Sequence, residues 1–296
     1  MSLWMEIDNH AIKITNAQKL LWPDIGIKKI DYIKILIQLS PYLLPHTSDR
    51  FLSVIRYPDG IYKPFFYQKK SPTHTPEWID KITKGQHNYI NLNKLSTLVW
   101  LGNAAALEFH VGFNKTNENT ISYLVFDLDP SEGQVFDQVV EVALLIYEEL
   151  KKLGLLSYIK TSGASGLQIY IPIEEKYTYD EGRTLNQFFA MYFSSKYPHQ
   201  ITIERNIKKR DMRLYFDYLQ MWKGKTMISA YSPRAVKSGA ISTPVTWEEL
   251  KMGMQPSDFN LMNMIDRIKK KGDLFDVFLY NMVKNKQNLD FIIQHI

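Results

Sequence analysis

The segment that decides the fold runs from residue 121 to residue 130 and reads Ile-Ser-Tyr-Leu-Val-Phe-Asp-Leu-Asp-Pro. Its β-branched and apolar residues predict a buried strand that ends on two aspartates. Because residues i and i+2 of a strand point to the same face, Asp127 and Asp129 are expected roughly 6.5 Å apart at Cα. Two carboxylates this close repel each other unless a cation lies between them. The segment therefore predicts a site for a hard divalent cation such as Mg²⁺ or Mn²⁺.

A third carboxylate lies in a similar context further along the chain. Asp217 ends a second apolar strand, and with Asp127 and Asp129 it makes a set large enough to hold two metal ions. A metal pair of this kind would lower the pKa of an attacking 3′-hydroxyl and stabilise a leaving pyrophosphate. The pattern alone leaves another interpretation open, because two acids can also cap a strand and open a turn before Pro130.

Other enzymes share the Asp-x-Asp pattern. Haloacid-dehalogenase-type phosphatases and some glycosyltransferases use it, so the pair by itself does not select one chemistry. Such phosphatases are expected to carry Thr or Val two residues after the second aspartate, where this chain has Ser131 followed by Glu132. An Asp-x-Asp phosphatase is therefore disfavoured.

The elements around this segment follow the order β-α-β-β-α-β. Strands are predicted at residues 121–127, 156–160, 167–172 and 212–218, and helices at residues 135–153 and 178–197. This order is the split βαβ arrangement of ferredoxin-like and RNA-recognition-type folds, on which many nucleotide polymerases build their palm. The predicted fold class is therefore α+β with a palm-like core. In its simplest version the first and last strands are antiparallel, which constrains where Asp217 meets Asp127.

The chain is expected to form a single domain over residues 1–296 with two parts. Residues 1–115 are interpreted as an N-terminal α/β lobe flanking a central cleft, and residues 116–296 as the catalytic palm-like lobe with C-terminal helices. Within the first lobe, helices are predicted at residues 31–44 and 98–107 and strands at residues 52–57 and 108–113. In the tail, the best helix candidates are residues 247–250 and 261–269.

Composition sets outer limits on what the chain can be. Of its 296 residues, 45% are hydrophobic and 23% are charged, which is ordinary for a globular protein with a substantial core. Cysteine is absent, so disulfides and cysteine-based zinc sites are excluded. The sequence has no apolar run of about 18 residues and no signal-peptide pattern, so no membrane partner and a cytoplasmic location are expected. The net charge of +5 leans towards an anionic partner.

Further stretches suggest anion binding. Residues 160–168 read Lys-Thr-Ser-Gly-Ala-Ser-Gly-Leu-Gln, in which backbone N–H groups and serine hydroxyls can form an anion nest, although an ordinary hairpin turn also fits. The stretch lacks the Gly-Lys-Ser/Thr ending of a Walker loop. Arg234 follows Tyr-Ser-Pro and can fork onto a phosphate or lie on the surface. His110 can point into the same cleft or be a satisfied core histidine.

Together, these stretches resemble the polymerase domain of bacterial ligase D, a non-homologous end-joining polymerase of the archaeo-eukaryotic primase superfamily. The resemblance runs over nearly the whole chain and rests on nine short segments in a fixed order. They are residues 16–19 with 22–23, 56–60, 66–69, 106–110, 126–130, 161–167, 217–220, 231–234 and 243–250. No one segment is decisive, but the ordered series is specific. It implies a primase-polymerase fold and favours the functional interpretation of each stretch.

The resemblance implies a role for each site residue. Two divalent ions, Mn²⁺ or Mg²⁺, would bind Asp127, Asp129 and Asp217. The incoming nucleoside triphosphate would be contacted by His110, Ser162, Gln168, Gln220 and Arg234. The 5′-phosphate of DNA would be held by Asn16, Lys19 and Lys29, and the template would stack on Phe66 and Tyr67. Such stacking tolerates any base and contributes about 1–3 kcal/mol per base.

The resemblance also implies a biological role. Family members fill gaps and extend 3′ ends from a template at DNA double-strand breaks in bacterial non-homologous end joining, usually with ribonucleotides preferred. The expected substrates are therefore gapped or broken DNA and nucleoside triphosphates, either ribo- or deoxyribonucleotides. The expected partners are the end-binding protein Ku and a ligase domain or protein. A nucleoid-associated location in a bacterial cytoplasm follows from the same role.

The chain departs from the family pattern near the expected nucleotide. Gln168 stands where histidine is usual, Ser165 where lysine is common, Met221 where asparagine is usual and Ile55 where a lysine often lies. Because most of these changes remove a positive charge or a polar contact, weaker triphosphate binding is expected, but not loss of activity. No Lys-x-Asp-Gly segment for ligase adenylation is present, so we expect a polymerase, either stand-alone or part of a longer ligase polypeptide.

Two other roles use the same residues. A stand-alone primase-polymerase would carry out the same chemistry but would start primers de novo on unprimed single strands. A non-catalytic DNA-end-binding module would bind 5′-phosphorylated gaps and incorporate nothing, and the changes at Gln168 and Ser165 keep this alternative open.

Overall fold

A computed structural model describes residues 3–294, which divide into two compact units. The first unit comprises residues 3–117, 226–242 and 257–272, and the second comprises residues 118–225, 243–256 and 273–294. The first division falls close to the boundary predicted at residue 115. The later segments differ from the prediction, because the chain returns to the first unit where the strand Met227–Ile228 joins that unit's sheet. No helix within residues 3–294 is long and apolar enough to cross a membrane.

The first unit is built on a four-stranded sheet, and its elements are numbered in chain order together with those of the second unit. Its strands are β1 (Leu3–Ile7), β2 (His10–Ile14), β3 (Leu20–Trp22), β4 (Ile27–Lys28), β5 (Arg50–Arg56), β6 (Phe66–Gln68), β7 (Lys81–Lys84), β8 (His87–Ile90), β9 (Ala106–Lys115) and β15 (Met227–Ile228). Its helices are α1 (Lys29–Thr47), α2 (Leu95–Asn103) and α6 (Met264–Lys271). The sheet order is β15-β9-β5-β6 with antiparallel neighbours, and the other strands form two-stranded hairpins.

Helix α1 is longer at both ends than the sequence pattern predicted. It begins at Lys29, because the Asp31 carboxylate accepts a hydrogen bond from the Lys28 backbone N–H at 3.3 Å and closes the first turn. Its helically spaced apolar residues are fully buried; they are Ile33, Leu36, Leu39 and Leu43. The helix packs against α2. Because it begins early, Lys29 lies in its first turn.

The second unit contains the segment that decides the fold. Its strands are β10 (Tyr123–Asp129), β11 (Tyr158–Thr161), β12 (Leu167–Pro172), β13 (Ile201–Thr202), β14 (Leu214–Phe216) and β16 (Pro244–Val245). Its helices are α3 (Phe136–Lys152), α4 (Tyr179–Lys196), α5 (Trp247–Lys251), α7 (Asp276–Lys284) and α8 (Asp290–Ile293). The strands form one sheet in the order β13-β14-β10-β12-β11-β16.

The predicted βαββαβ core is confirmed in this unit. The four central strands stand in the order β14-β10-β12-β11, with α3 connecting β10 to β11 and α4 preceding β14. Strands β10 and β14 are antiparallel, with Leu128 opposite Phe216, as the simplest version of the arrangement requires. This pairing brings the end of β14 beside the end of β10. The short strands β13 and β16 extend the sheet at its edges and were not predicted.

Aromatic packing holds β10 in the middle of the core. The ring of Phe126 lies 5.1 Å from that of Phe189 on α4 and 5.0 Å from that of Phe216 on β14, measured between centroids. On α3 the predicted stripe is buried; its residues are Val139, Val142, Ile146 and Leu150. Since β10 is buried from Tyr123 to Leu128, its terminal aspartates are anchored to a rigid element.

Helix α3 is tied to α4 by a buried carboxylate. Glu149 accepts hydrogen bonds from Lys152 Nζ at 2.7 Å, Lys196 Nζ at 2.6 Å, the Tyr192 hydroxyl at 2.9 Å and the Tyr197 hydroxyl at 3.2 Å. The bonds from the two lysines are the largest influence, and with the tyrosines they outweigh burial and lower the pKa of Glu149 to about 2. The charged form of Glu149 therefore stabilises the folded second unit.

Replacing Glu149 by glutamine is expected to lower the free energy of unfolding at pH 7 by about 2–3 kcal/mol, because charged hydrogen bonds to a buried group are lost. A lowered pKa contributes stability above the ordinary glutamate pKa and loses it as the pH falls towards the folded value of about 2. The difference between wild type and Glu149→Gln should therefore shrink below about pH 4.5. Urea unfolding at pH 7, 4 and 3 measures it.

The neighbouring Glu148 provides the matched control. Its side chain is 50% exposed and pairs with two exposed lysines, so Glu148→Gln is expected to change stability by less than about 0.5 kcal/mol. Equal stabilities of Glu149→Gln and wild type at pH 7 would contradict the prediction.

Candidate active site

Three carboxylates meet at the ends of two adjacent strands of the second unit. One oxygen each of Asp127, Asp129 and Asp217 lies within 4.8 Å of the others. Asp127 is buried, whereas Asp129 and Asp217 are half-buried. The backbone N–H of Asp217 donates to the carbonyl oxygen of Asp127 at 3.0 Å, so the two strands fix the spacing of the carboxylates. The sequence predicted that these three residues would cluster, and the structure brings them together.

The third carboxylate is oriented by its local turn. Strand β14 ends at Phe216, earlier than predicted, because Asp217 caps a 3₁₀ turn over Tyr218–Gln220. Its Oδ1 accepts hydrogen bonds from the Leu219 backbone N–H at 3.1 Å and the Tyr215 hydroxyl at 3.2 Å. Gln220, a predicted nucleotide contact, is the last residue of the same turn.

The electrostatics of the cluster are unfavourable without a cation. Burial, and then the adjacent carboxylate of Asp129, raise the pKa of Asp127 well above its usual range, against a lowering hydrogen bond from Gln168. A divalent cation bound here would compensate the buried charge of Asp127 and its repulsion by Asp129. The donors are all carboxylate oxygens, the type that Mg²⁺ and Mn²⁺ prefer. The residues therefore fit a divalent metal site.

The glycine-rich turn between β11 and β12 lies against the same strand end. A Cβ at Gly166 would stand 2.6 Å from the carbonyl oxygen of Leu128 and 3.3 Å from Oδ1 of Asp129, so only glycine fits there. Gly163 has a positive φ of 74°, which glycine adopts without strain. Both glycines thus allow this turn to lie close to the end of β10.

The predicted anion nest in this turn requires correction. Ser162 Oγ accepts hydrogen bonds from the backbone N–H groups of Ala164 at 3.2 Å and Gly166 at 3.0 Å. Because these two N–H groups point at a serine oxygen inside the turn, they do not form a nest for an external anion. The predicted nucleotide contact Ser162 itself lies in this turn.

Gln168 lies behind the carboxylates rather than at the surface. It is buried on β12, its Nε2 donates to Asp127 Oδ1 at 3.0 Å, and its Oε1 accepts from Lys160 Nζ at 2.5 Å. The sequence predicted Gln168 as a nucleotide contact and assigned no role to Lys160. Lysine in an alternating strand usually faces solvent, so the sequence carried no clear signal for its burial.

The first unit holds a second cluster around a buried carboxylate. Glu108 Oε2 lies 3.0 Å from His110 Nε2 and 3.5 Å from Arg234 Nη1, and its Oε1 accepts from the Ala235 backbone N–H at 3.1 Å. Burial alone would raise the pKa of Glu108, but the His110 hydrogen bond and the Arg234 charge together hold it below its usual range. Within residues 3–294, the buried Nε of Arg234 has no hydrogen-bond partner.

This cluster joins two predicted phosphate contacts that are far apart in sequence. His110 and Glu108 lie two residues apart on β9 and so share a face, a signal that would have revealed Glu108. Arg234 reaches them because Ser232 Oγ accepts a hydrogen bond from the Phe109 backbone N–H at 2.9 Å, which ties the two segments together. Sequence reasoning missed Glu108, although the resemblance included its segment.

Three cations gather near the predicted 5′-phosphate site of the first unit. The Lys29 backbone N–H donates to the Lys19 carbonyl at 2.8 Å, and the carbonyl of Asn16 accepts from the Lys19 N–H at 2.9 Å. Burial, then Lys19 and then Arg56 lower the pKa of Lys29 to about 8. Lys19 Nζ contacts Asp59 Oδ1 at 2.6 Å. The structure thus brings the three predicted residues together and adds Arg56, which sequence reasoning had left without a role.

The predicted stacking pair is exposed on β6. Phe66 is 45% and Tyr67 64% exposed, so both rings are open to solvent. As adjacent strand residues they point to opposite faces. Their contacts agree, because the Arg56 guanidinium lies 5.0 Å from the Phe66 ring centroid while Tyr67 meets the Phe65 ring edge-on at 6.0 Å. The Phe66 ring thus lies beside Arg56, whereas the Tyr67 ring lies beside Phe65.

A βαββαβ sheet that carries three clustered carboxylates at the ends of adjacent strands fits the palm of a primase-type polymerase, a class of nucleotidyltransferases. The chain belongs to the LigD primase-polymerase domain family, since the model of that family matches residues 28–275. The resemblance drawn from nine sequence segments is confirmed by this match, and so is the α+β fold class.

Curated relatives and a solved structure agree with this assignment. The bifunctional non-homologous end joining protein LigD of Bacillus subtilis is 38% identical over 271 residues, covering 91% of this chain and 44% of the relative. The multifunctional non-homologous end joining DNA repair protein LigD of Mycobacterium tuberculosis is 29% identical over 280 residues, covering 90% of this chain and 36% of the relative. The polymerase domain of Mycobacterium tuberculosis ligase D in complex with DNA has a TM-score of 0.83 and 27% identity, covering 91% of this chain and 98% of that domain.

The chain spans less than half the length of these curated relatives. The family and the fold are therefore those of one domain of such proteins. The names of these relatives place those proteins in non-homologous end joining.

Proposed function

We propose that this chain transfers nucleotides to a 3′-hydroxyl under the direction of a template, at gaps and broken ends of DNA. The observation that carries the proposal is the cluster of Asp127, Asp129 and Asp217 at the ends of adjacent strands in a polymerase-domain fold. Two divalent ions held by these carboxylates would activate the attacking hydroxyl and stabilise the departing pyrophosphate. The chain's own contribution is to hold the carboxylates at a fixed spacing on two hydrogen-bonded strands.

The phosphates of the nucleotide are proposed to contact Arg234 and His110. Arg234 offers an unpartnered Nε, and Glu108 fixes its guanidinium and the imidazole of His110. A guanidinium held in this way suits the planar, bidentate geometry of phosphate oxygens. Ser162 and Gln220 are proposed as further contacts. Gln168 would influence the nucleotide through Asp127, to which it donates its hydrogen bond.

The DNA is proposed to bind the first unit. The Mycobacterium tuberculosis polymerase domain was solved in complex with DNA, and this chain shares its fold. The cluster of Lys19, Lys29 and Arg56 supplies positive charge for a 5′-phosphate, with Asn16 shaping the loop. Phe66 and Tyr67 offer exposed rings on which template bases can stack.

The setting is proposed from the relatives rather than from this chain alone. They are non-homologous end joining proteins of bacteria, so the proposed partners are Ku and a ligase domain or protein, and the proposed location is the nucleoid of a bacterial cytoplasm. Mn²⁺ and Mg²⁺ are both proposed as metals, with ribo- and deoxyribonucleotides as substrates.

Extension assays with four DNA substrates test the proposal. They are a gapped duplex with a 5′-phosphate, the same duplex without it, a primed template without a downstream strand, and an unprimed single strand. The end-joining role predicts the fastest extension on the phosphorylated gap. Synthesis on the unprimed strand would instead favour a stand-alone primase-polymerase. Tight binding of the phosphorylated gap with no incorporation would favour an end-binding module and overturn the enzymatic proposal.

Recognition of the 5′-phosphate is expected to weaken as the pH rises from 7 to 9. With a pKa of about 8, Lys29 is mostly charged at pH 7 and mostly neutral at pH 9. The preference for phosphorylated over unphosphorylated gaps should fall by up to about tenfold across this range. Fluorescence anisotropy with both DNAs measures the ratio of Kd values, which cancels general effects of pH on the protein.

Lys29→Arg is the control for this pH dependence, because arginine stays charged up to pH 9. Its preference for the phosphorylated gap should not change with pH. A wild-type preference that is constant from pH 7 to pH 9 would mean that Lys29 does not contact the phosphate.

A further inference from the structure

Lys160 is a fully buried lysine to which the proposed chemistry gives no role. It lies on β11 in the second unit, and its relative exposure is 0%. Its Nζ donates to Gln168 Oε1 at 2.5 Å and lies 3.4 Å from the Thr161 carbonyl oxygen. Burying an ammonium group is unfavourable unless acceptors or an opposite charge compensate it. The acceptors on Gln168 and Thr161 therefore allow the ammonium group of Lys160 to be buried here.

Lys160, Gln168 and Asp127 stand side by side on three neighbouring strands. In the register of the sheet, Lys160 is opposite Gln168 and Gln168 is opposite Asp127. The hydrogen bonds follow the same direction, because Gln168 accepts from Lys160 and donates from Nε2 to Asp127 Oδ1 at 3.0 Å. The three side chains form a hydrogen-bonded row, here called the Lys160 row, that ends on a proposed metal ligand.

The lysine sets the direction of this row. An ammonium group has only donors, so the amide of Gln168 must turn its oxygen towards Lys160. The opposite orientation would set the amide N–H₂ against the ammonium and the amide oxygen against the carboxylate of Asp127, which are two repulsive contacts. With an apolar residue at 160, the amide oxygen of Gln168 would lose the ammonium donor that helps to hold its N–H₂ group towards Asp127.

We infer that Lys160 is a positioning residue for the carboxylate of Asp127 and acts through the amide of Gln168. The inference rests on the proposed function, in which Asp127 binds metal. A carboxylate whose Oδ1 is held by a fixed donor keeps one orientation and presents its other oxygen to the ion in a defined direction. Glutamine suits position 168 in this chain because one amide supplies both the acceptor for Lys160 and the donor for Asp127.

Binding of Mn²⁺ to the nucleotide-free protein tests the inference without relying on turnover. The electron paramagnetic resonance signal of free Mn²⁺, followed during titration, gives the Kd of wild type and of Lys160→Met. Partners of this kind typically change metal affinity by 10- to 100-fold, so Lys160→Met should bind Mn²⁺ about tenfold more weakly. Urea unfolding of the metal-free variant measures any change in stability separately from the Kd, because Lys160→Met leaves the amide oxygen of Gln168 without this donor.

A double-mutant cycle tests whether the row acts in series. Gln168→Met should weaken Mn²⁺ binding as much as Lys160→Met, and the double variant should be no weaker than either single variant. Lys151→Met removes an exposed lysine of α3 and should leave the Kd for Mn²⁺ unchanged. Additive losses in the double variant would overturn action through Gln168.

The outcomes separate this inference from the proposed function. If wild type binds Mn²⁺ and incorporates nucleotides while Lys160→Met binds Mn²⁺ equally well, the positioning role is overturned and the proposed function stands. Lower stability of Lys160→Met with unchanged Mn²⁺ affinity would make Lys160 structural and overturn the role as well. Failure of wild type to bind Mn²⁺ would overturn both. Should Lys160→Met fail to fold, Lys160→Gln is decisive, because unchanged Mn²⁺ affinity there also overturns the role.

Discussion

Replacing Asp127 by asparagine is expected to lower the rate of nucleotide incorporation by about 10³-fold or more. Asparagine keeps the volume but lacks the negative charge that Asp127 is proposed to contribute, with Asp129 and Asp217, to binding divalent ions. Loss of several kcal/mol of metal-derived stabilisation of the transition state corresponds to this factor, since about 1.4 kcal/mol is tenfold in rate. Single-turnover incorporation on gapped DNA, with Mn²⁺ and nucleotide in excess, measures the change.

The stability of Asp127→Asn distinguishes a functional carboxylate from a structural one. The pKa of Asp127 is raised by burial and by Asp129, so its charged form is unfavourable in the metal-free fold at pH 7. The metal-free variant should therefore be at least as stable as wild type while its activity is lost. Asp266→Asn, at an exposed position of α6, should leave both properties unchanged. Incorporation within tenfold of wild type by Asp127→Asn would contradict the assignment.

Replacing Arg234 by methionine is expected to raise the KM for the nucleoside triphosphate by about 10- to 100-fold with a smaller effect on kcat. Charge-assisted hydrogen bonds contribute about 1.5–3 kcal/mol, which corresponds to that range. The buried Nε of Arg234 and its guanidinium beside Glu108 provide the donors for such bonds. Because the proposed role concerns the nucleotide, the Kd for gapped DNA should stay the same.

Two companion variants test how Arg234 acts. Arg234→Lys keeps the charge but not the forked geometry, so its KM should lie between those of wild type and Arg234→Met. Glu108→Gln should also raise KM, because the carboxylate that orients Arg234 and His110 is neutralised. Arg267→Met, which removes an arginine that stacks on Phe259 in the same unit, should leave the KM unchanged. An unchanged KM in Arg234→Met would exclude a phosphate contact.

The Asp-x-Asp end of β10 and the βαββαβ order were predictable because both are local. A strand pattern gives the alternation that pairs Asp127 with Asp129, and the order of helices and strands selects few sheet topologies. The approach of Asp217 follows from the antiparallel pairing of β14 with β10, which the simplest topology already contained. The shortening of β14 was not foreseen, since the turn depends on an aspartate capping its own following residues.

Contacts that depend on long-range topology were not readable in the sequence. The return of residues 226–242 to the first unit joins Arg234 to Glu108, more than a hundred residues earlier, and no local pattern signals it. The burial of Lys160 depends on the register of three strands, which places Gln168 and Asp127 beside it and which the sequence does not specify. The turn at 162–166 was recognised, but the sequence did not show that the N–H groups of Ala164 and Gly166 donate to Ser162 Oγ.

Template-directed incorporation is the central claim, and changing one base tests it most directly. A 5′-phosphorylated gap of one nucleotide is prepared with each of the four templating bases and given each nucleoside triphosphate separately with Mn²⁺. We predict that the incorporated nucleotide is the complement of the templating base in every case. Incorporation of the same nucleotide opposite all four bases, or no incorporation at all, would contradict the claim.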